Sequence, residues 1–314
     1  MSEQNDTHPV LIKRLWRFGI NLKRHKFKTW RLIDTYVRRS MNHLLNRHPG
    51  SDPYLSGDTY RRMCIHEISE QSTLPQLREG DAVFLSLYFI ERLRNLLPHI
   101  NQRFVLVTHH SDASVTEEHL DILNNQNVIK WYAQNAAVAH DKLIAIPIGL
   151  EDRWRANAGH TKHFDKLRSN NALQQTKIPR ILWGFSEDTN PYERRRAREI
   201  LAELDTTDHI NELSHYYREH LNGYMFVASP PGNGPDCHRT WEALYLNVVP
   251  IVKRDPIYYQ FTDLPILIIE DWEELSHLNE SDLRSIYQQL MKRKSQNQII
   301  WSDYWKNRIK GDIS

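Results

Sequence analysis

Residues 224–253 read YMFVASPPGNGPDCHRTWEALYLNVVPIVK, and the fold turns on this stretch. Met225-Phe226-Val227-Ala228 is a short apolar run closed by Pro230-Pro231-Gly232-Asn233-Gly234-Pro235. A run of that length bounded by Gly and Pro predicts a buried strand that ends in a tight loop. Asp236 is a good helix N-cap, because its short side chain can accept from the free N–H groups of a first turn. The residues after it have helical spacing. Cys237, Trp241, Leu244 and Val248 fall on one face, and His238, Arg239 and Glu242 on the other. Val248-Val249-Pro250-Ile251-Val252 then reads as the next buried strand.

Arg239 gives this βαβ unit a functional cast. A cation in the first turn of a helix opposes the helix dipole, at a cost of a few tenths to about 1 kcal/mol. A bound anion reverses that cost, since free N–H groups at a helix start already favour phosphate. Glu242, one turn on, would accept from two hydroxyls of a ribose or sugar. A surface Arg–Glu pair on an ordinary βαβ unit accounts equally well for the spacing.

Away from this unit, apolar runs alternate with helical stretches. Strands are expected at 81–87, 104–108, 128–132 and 143–148, then at 180–185 and 264–269, with helices at 90–97, 116–124, 192–204 and 215–222. Such alternation predicts an α/β fold with mostly parallel sheets covered on both faces. The expected organisation is a basic N-terminal extension (1–50), an acceptor-side Rossmann-like domain (51–160), a polar linker (161–178), a donor-side Rossmann-like domain (179–275) and C-terminal helices (276–314). Ligands of open α/β sheets sit at the carboxyl ends of the strands, so both loop sets should face one cleft.

Three blocks in this order resemble exostosin-like glycosyltransferases of the family 47 type. The first is Phe104 to Asp112 (FVLVTHHSD), and the second is Trp131 to Asn135 with Lys142 to Leu150 (KLIAIPIGL). The third is Phe226-x-x-x-Pro230-x-Gly232, Arg239-x-x-Glu242-Ala243-Leu244 and Val249-Pro250-Ile251-Val252. Fucosyltransferases of the same two-domain build carry a related Glu-containing segment before a Val-Pro strand. The resemblance spans roughly residues 80 to 275. It implies a GT-B-like fold, a nucleotide-sugar as co-substrate with no other cofactor, a glycan or lipid-linked glycan as acceptor, and inversion at the transferred carbon.

Composition is globular, with 40% hydrophobic and 25% charged residues in 314. The two cysteines, Cys64 and Cys237, are expected as free thiols. No apolar run approaches the about 20 residues that span a membrane, and no secretory signal is evident. A cytoplasmic protein is therefore expected. Of the 41 lysines and arginines, 11 lie in residues 1–50, against 3 of the 39 acidic residues. Between residues 11 and 39 they are interleaved with Trp16, Phe18, Phe27, Trp30 and Tyr36. That pattern fits an amphipathic helix on an anionic membrane surface, at the inner face of the plasma membrane. It fits equally a helical extension packed on the acceptor side. Nucleic-acid binding is the least favoured reading.

Glycosyl transfer needs a stabilised diphosphate leaving group and a base for the acceptor hydroxyl. The chain has no Asp-x-Asp, no zinc-type Cys pair and no H-E-x-x-H. The adjacent His109 and His110 would point to opposite faces of a strand. A metal-independent site is expected, with no metal ligands. Arg239, the loop Gly232, Asn233, Gly234 to Asp236, and His238 would hold the donor. Ser186, Asn190 and Arg194 would add to it from the end of the preceding strand, the last as a second cation. Arg195 and Arg196 adjoin Arg194, and such runs are commonly solvated. Lys253-Arg254 is another candidate phosphate contact. Asp112, just past a strand end, leads as the base, with His110 and Glu151 as alternatives. A pyruvyl or polyol-phosphate transferase, or a non-catalytic membrane-docked scaffold, would share much of this pattern.

Overall fold

The computed structural model describes residue 37 and residues 48–155, 160–171, 176–210 and 214–313. Contacts divide the chain into two units, of which the second takes in residues 48–153 and the described residues from 160 onward. The second unit holds every strand described below. Apart from Val37, the basic arm up to Arg47 lies outside the described residues.

Two five-stranded sheets are present, and every pairing in them is parallel. The first takes β1 (His66–Ile68), β2 (Ala82–Ser86), β3 (Phe104–His109), β4 (Val128–Ala133) and β5 (Leu143–Ala145), ordered as in sequence. The second takes β6 (Ile178–Trp183), β7 (Thr207–His209), β8 (Tyr224–Ala228), β9 (Val249–Lys253) and β10 (Leu267–Ile269). Its order is β10-β9-β8-β6-β7. Strand β6 has β7 on one side and β8 on the other, so the strand order reverses between β6 and β8. The α/β class with two Rossmann-like halves is thus the observed one.

Parallel strands covered on both faces read as unbroken apolar runs, which is why the central strands fall where the sequence places them. All six residues of β3 are buried. The edge strands β1 and β7 are three residues each and carry His66, Glu67, Asp208 and His209. Neither was expected, because a short polar edge strand has no apolar signal.

The polar stretch, which reads as a linker plus a loose helix, carries the helix Thr161–Asn171. Its Phe164 and Leu167 are buried, and the Phe164 ring lies 5.8 Å from Tyr54 and 6.3 Å from Tyr245. One hydrophobic cluster runs through both halves, taking Trp131 and Leu150 from the first and Val227, Trp241 and Tyr245 from the second. Polar bonds join them as well. The Tyr245 hydroxyl accepts from Leu55 N at 3.0 Å, and Asp236 Oδ2 accepts from Ile148 N at 2.9 Å.

Candidate functional site

The helix after β8 spans His238–Tyr245, one turn shorter than its periodicity suggests, and its N-cap is Cys237 instead of Asp236. Asp236 has a different task. Buried under the loop, it accepts from Ile148 N, Cys237 N and the Trp241 indole N–H, all at 2.8–2.9 Å. Burial pushes its carboxyl up to about 6, against the pull of those donors. Asp236 thereby ties the glycine-rich loop to the first sheet.

The helix is also buried nearly all round, which goes against the alternative of a surface Arg–Glu pair. Thr240 through Tyr245 are all buried. Glu242 is 7% exposed, and its Oε1 accepts from Arg218 Nε at 2.9 Å and also from Nη2. Its Oε1 is thus engaged in an internal ion pair with Arg218. No apolar periodicity could reveal this, because Arg218 comes from the preceding helix, Ser214–Asn222.

Arg239 and Arg194 converge at the reversal of strand order. Arg239 Nη2 donates to Gly184 O, just past β6, at 3.0 Å. Arg194, in the helix Pro191–Glu203, donates through Nε to Pro231 O at 2.9 Å and through Nη1 to Ser186 O at 2.8 Å. Phe185 lies against both, 5.9 Å from the Arg194 guanidinium carbon and 5.7 Å from that of Arg239. Among the described residues neither arginine has a carboxylate within 4.0 Å. Arg239 Nε is buried without a partner. Burial lowers the Arg194 pKa from its ordinary value. The neighbouring cations are all neutralised: Arg195 by Glu187, Arg196 by Asp271 and Glu273, Lys253 by Glu193, and Arg254 by Glu270. Only Arg194 of the arginine run turns inward.

Close approach fixes the glycines of this loop. A Cβ on Gly232 would lie 2.9 Å from Arg194 Nη2, and one on Gly234 would lie 2.9 Å from Asp112 O and 3.1 Å from Asn135 Nδ2. Asn190 caps the Pro191 helix through Glu193 N at 3.3 Å and reaches Gly232 O at 3.4 Å. Ser186 is exposed and caps the short 3-10 turn Glu187–Thr189. Asn233 is exposed at the loop tip. His238 Nδ1 lies 2.8 Å from Gly149 O, across the two halves.

No family model and no curated protein sequence matches the chain. Solved structures do resemble it in arrangement. The apo structure of OtsA is 11% identical, covers 77% of this chain and 74% of its own, and has a TM-score of 0.46. An α,α-trehalose-phosphate synthase (UDP-forming) from Burkholderia xenovorans, in complex with glucose-6-phosphate, is 10% identical with a TM-score of 0.44, over 93% of this chain and 78% of its own. A glycosyltransferase from Rickettsia africae is 10% identical with a TM-score of 0.38, over 100% of this chain and 84% of its own. Likenesses this distant carry no weight in the functional reading, which rests on the residues of the site.

The loops after β3 and β5 form the opposing wall. Asp112 is exposed; Tyr88 Oη lies 3.4 Å from its Oδ2 and accepts from its N–H at 3.1 Å. Glu151 is half-buried beside the buried Leu150. The two histidines do not diverge as strand alternation predicts. β3 ends at His109, and His110 takes a left-handed conformation with φ 60°. His110 N then donates to His109 Nδ1 at 2.8 Å, and the rings lie 5.4 Å apart. Alternation holds only while the backbone stays extended.

His110 brings in two acids that the sequence reading missed. Its Nε2 lies 2.8 Å from Asp152 Oδ2, while Asp152 Oδ1 accepts from Asp58 N at 2.8 Å. Asp58 and Asp152 are both buried. Burial and the neighbouring Asp152 charge push the Asp58 carboxyl up to about 7. For Asp152 burial acts in the same direction, but the His110 charge and the two hydrogen bonds outweigh it and hold the carboxyl below its ordinary value. The local signal for Asp58 is weak, since it only ends a stretch rich in Gly, Pro, Ser and Asp, residues 47–58.

Proposed function

We propose that the protein is a glycosyltransferase that moves a sugar from a nucleotide-sugar donor onto a hydroxyl of a cell-surface polysaccharide or glycolipid. The observation that carries this reading is the pair Arg194 and Arg239. Two guanidiniums without carboxylate partners among the described residues lie at the strand-order reversal between β6 and β8, where open α/β sheets bind ligands. A helix start adjoins them, and such termini favour phosphate. Preorganised cations of this kind stabilise the charge that develops on a departing nucleoside diphosphate.

In this reading Asp112 is the base. Its carboxylate is exposed, and its main chain abuts Gly234 of the donor loop. The acceptor hydroxyl passes its proton to Asp112 as its oxygen bonds the anomeric carbon. The bond from that carbon to the diphosphate breaks on the opposite side, with inversion, and the two arginines receive the leaving charge without a metal ion. Glu151 and His110 are the alternatives at the same wall. The basic segment 11–39 would dock the enzyme on an anionic bilayer; removal of residues 1–47 should then abolish vesicle binding.

A thermal-shift screen with UDP, GDP, CMP and TDP, free and sugar-linked, in EDTA tests the donor site. Occupancy at a hundredfold excess over Kd stabilises the folded chain by about 2.7 kcal/mol. A shift with one nucleotide that disappears in Arg194→Ala and Arg239→Ala supports the assignment. The absence of any shift would remove it.

A further inference from the structure

We propose that Asp58, His110 and Asp152 form a divalent-cation site in the first half of the molecule, suited to a first-row transition ion such as Mn²⁺ or Zn²⁺. One ligand atom from each residue lies within 4.8 Å of the others. Ligands bonded at about 2.1 Å stand roughly 3–4 Å apart around such an ion, so a small contraction completes the set. His110 Nε2 and Asp152 Oδ2, 2.8 Å apart, need only separate slightly to serve as adjacent ligands.

A second, independent observation points to a missing ligand. Asp58 is 0% exposed, and its Oδ2 has no hydrogen-bond partner. Its Oδ1 faces the Arg61 guanidinium, Nη1 at 3.5 Å, and His48 Nδ1 at 3.6 Å. Buried carboxylate oxygens seldom lack a donor, because a charged group pays its full desolvation cost there. A divalent ion satisfies this oxygen and neutralises two carboxylates that otherwise repel each other.

The three ligands come from three separate elements. Asp58 is in the first turn of the short helix Gly57–Arg61, His110 follows β3, and Asp152 follows the segment after β5. Asp152 Oδ1 is fixed by Asp58 N at 2.8 Å, which leaves its Oδ2 for the ion. With 23% of its side chain exposed against 1% for Asp58 and 8% for Asp152, His110 marks the route of entry. Water would fill the remaining positions. One imidazole with two carboxylates favours Mn²⁺ or Zn²⁺ over ions that prefer oxygen alone, such as Ca²⁺ and Mg²⁺.

The test uses untagged, chelator-stripped, full-length protein titrated with Mn²⁺, Zn²⁺, Mg²⁺ and Ca²⁺. Calorimetry and thermal shift read binding, and the Mn²⁺ electron paramagnetic resonance signal reads free ion. One ion of Mn²⁺ or Zn²⁺ per chain is expected, raising Tm by about 5 °C or more near a hundredfold excess over Kd. Asp58→Asn and Asp152→Asn should each weaken binding at least tenfold, while Asp112→Asn binds as the wild type does. Circular dichroism in chelator checks that the variants fold; His110→Asn replaces either one that does not. No stoichiometric binding of any of the four ions would overturn the site. So would binding that survives both aspartate replacements.

Discussion

One methyl group at Gly57 should be enough to break the Asp58–His110–Asp152 arrangement. A Cβ there would lie 1.9 Å from His110 Nε2, 2.1 Å from its Cδ2 and 2.8 Å from His109 Nδ1. Ordinary contact begins at 3.4 Å, so the His110 ring would have to withdraw by about 1.5 Å. Its surroundings resist that. The ring meets Phe84 edge-on at 5.4 Å between centroids, and His109 behind it is 3% exposed and stacked on Tyr60 at 5.6 Å. Crowding of this kind alone costs about 1–3 kcal/mol. Withdrawal also takes His110 Nε2 away from Asp152 Oδ2, which lies 2.8 Å from it. Gly57→Ala should therefore lose about 1–3 kcal/mol, read as a lower urea midpoint at unchanged m-value. Gly311→Ala is the opposing control. That glycine lies in the helix Ser302–Ile313, and a Cβ there meets nothing within 4 Å. It should gain about 0.5–1 kcal/mol from helix propensity. If Gly57→Ala stayed within 1 kcal/mol of wild type, His110 would not be packed as described.

Three further outcomes are expected. Arg194→Ala and Arg239→Ala should each weaken nucleoside diphosphate binding by about 10-fold or more, since a hydrogen bond to a charged group contributes about 1.5–3 kcal/mol; calorimetry showing unchanged affinity in both would displace the donor site. Asp112→Asn should keep donor affinity and lose turnover by about 10²–10⁴, the usual contribution of a general base; normal single-turnover rates would move the base elsewhere on the same wall. His109 bears on acid stability. Burial, and then the neighbouring His110, depresses its pKa to about 3, against about 6.5 in the unfolded chain. The unfolded chain therefore takes up a proton that the folded one refuses. Stability from this group is present above pH 6.5 and is lost as pH falls, by roughly 1.4 kcal/mol per unit. Between pH 6.5 and 5 His109→Gln should escape about 2 kcal/mol of that loss, and parallel stability curves for variant and wild type would contradict the assignment.

Much of the fold is legible in the chain, and for a definite reason. Strands β2, β3, β8 and β9 are covered on both faces, so each is a nearly unbroken apolar run that Gly, Pro or polar residues terminate. The Pro-Gly-Asn-Gly loop and the helix behind it follow from the same local rules. Legibility fails where burial is partial. Edge strands β1 and β7 carry charged and polar side chains, and Thr161–Asn171 reads only as a loose helix because its buried Phe164 and Leu167 stand among polar residues. The site divides in the same way. Arg239 is readable from its place in a first helical turn, whereas Arg194 is indistinguishable from Arg195 and Arg196 until their carboxylate partners are known.

The sequence by itself determined the alternation of elements, the parallel class of both sheets and the position of the glycine-rich turn, because these depend on neighbours a few residues away. Only the tertiary structure decided which charges meet. It placed Arg194 and Arg239 together at the strand-order reversal, spent Glu242 on Arg218, and brought Asp58 to Asp152 across 94 residues of chain. Local periodicity holds no record of such pairs. They arise when strand order sets which loops adjoin, and when burial then makes an unpaired charge too costly to leave without a partner.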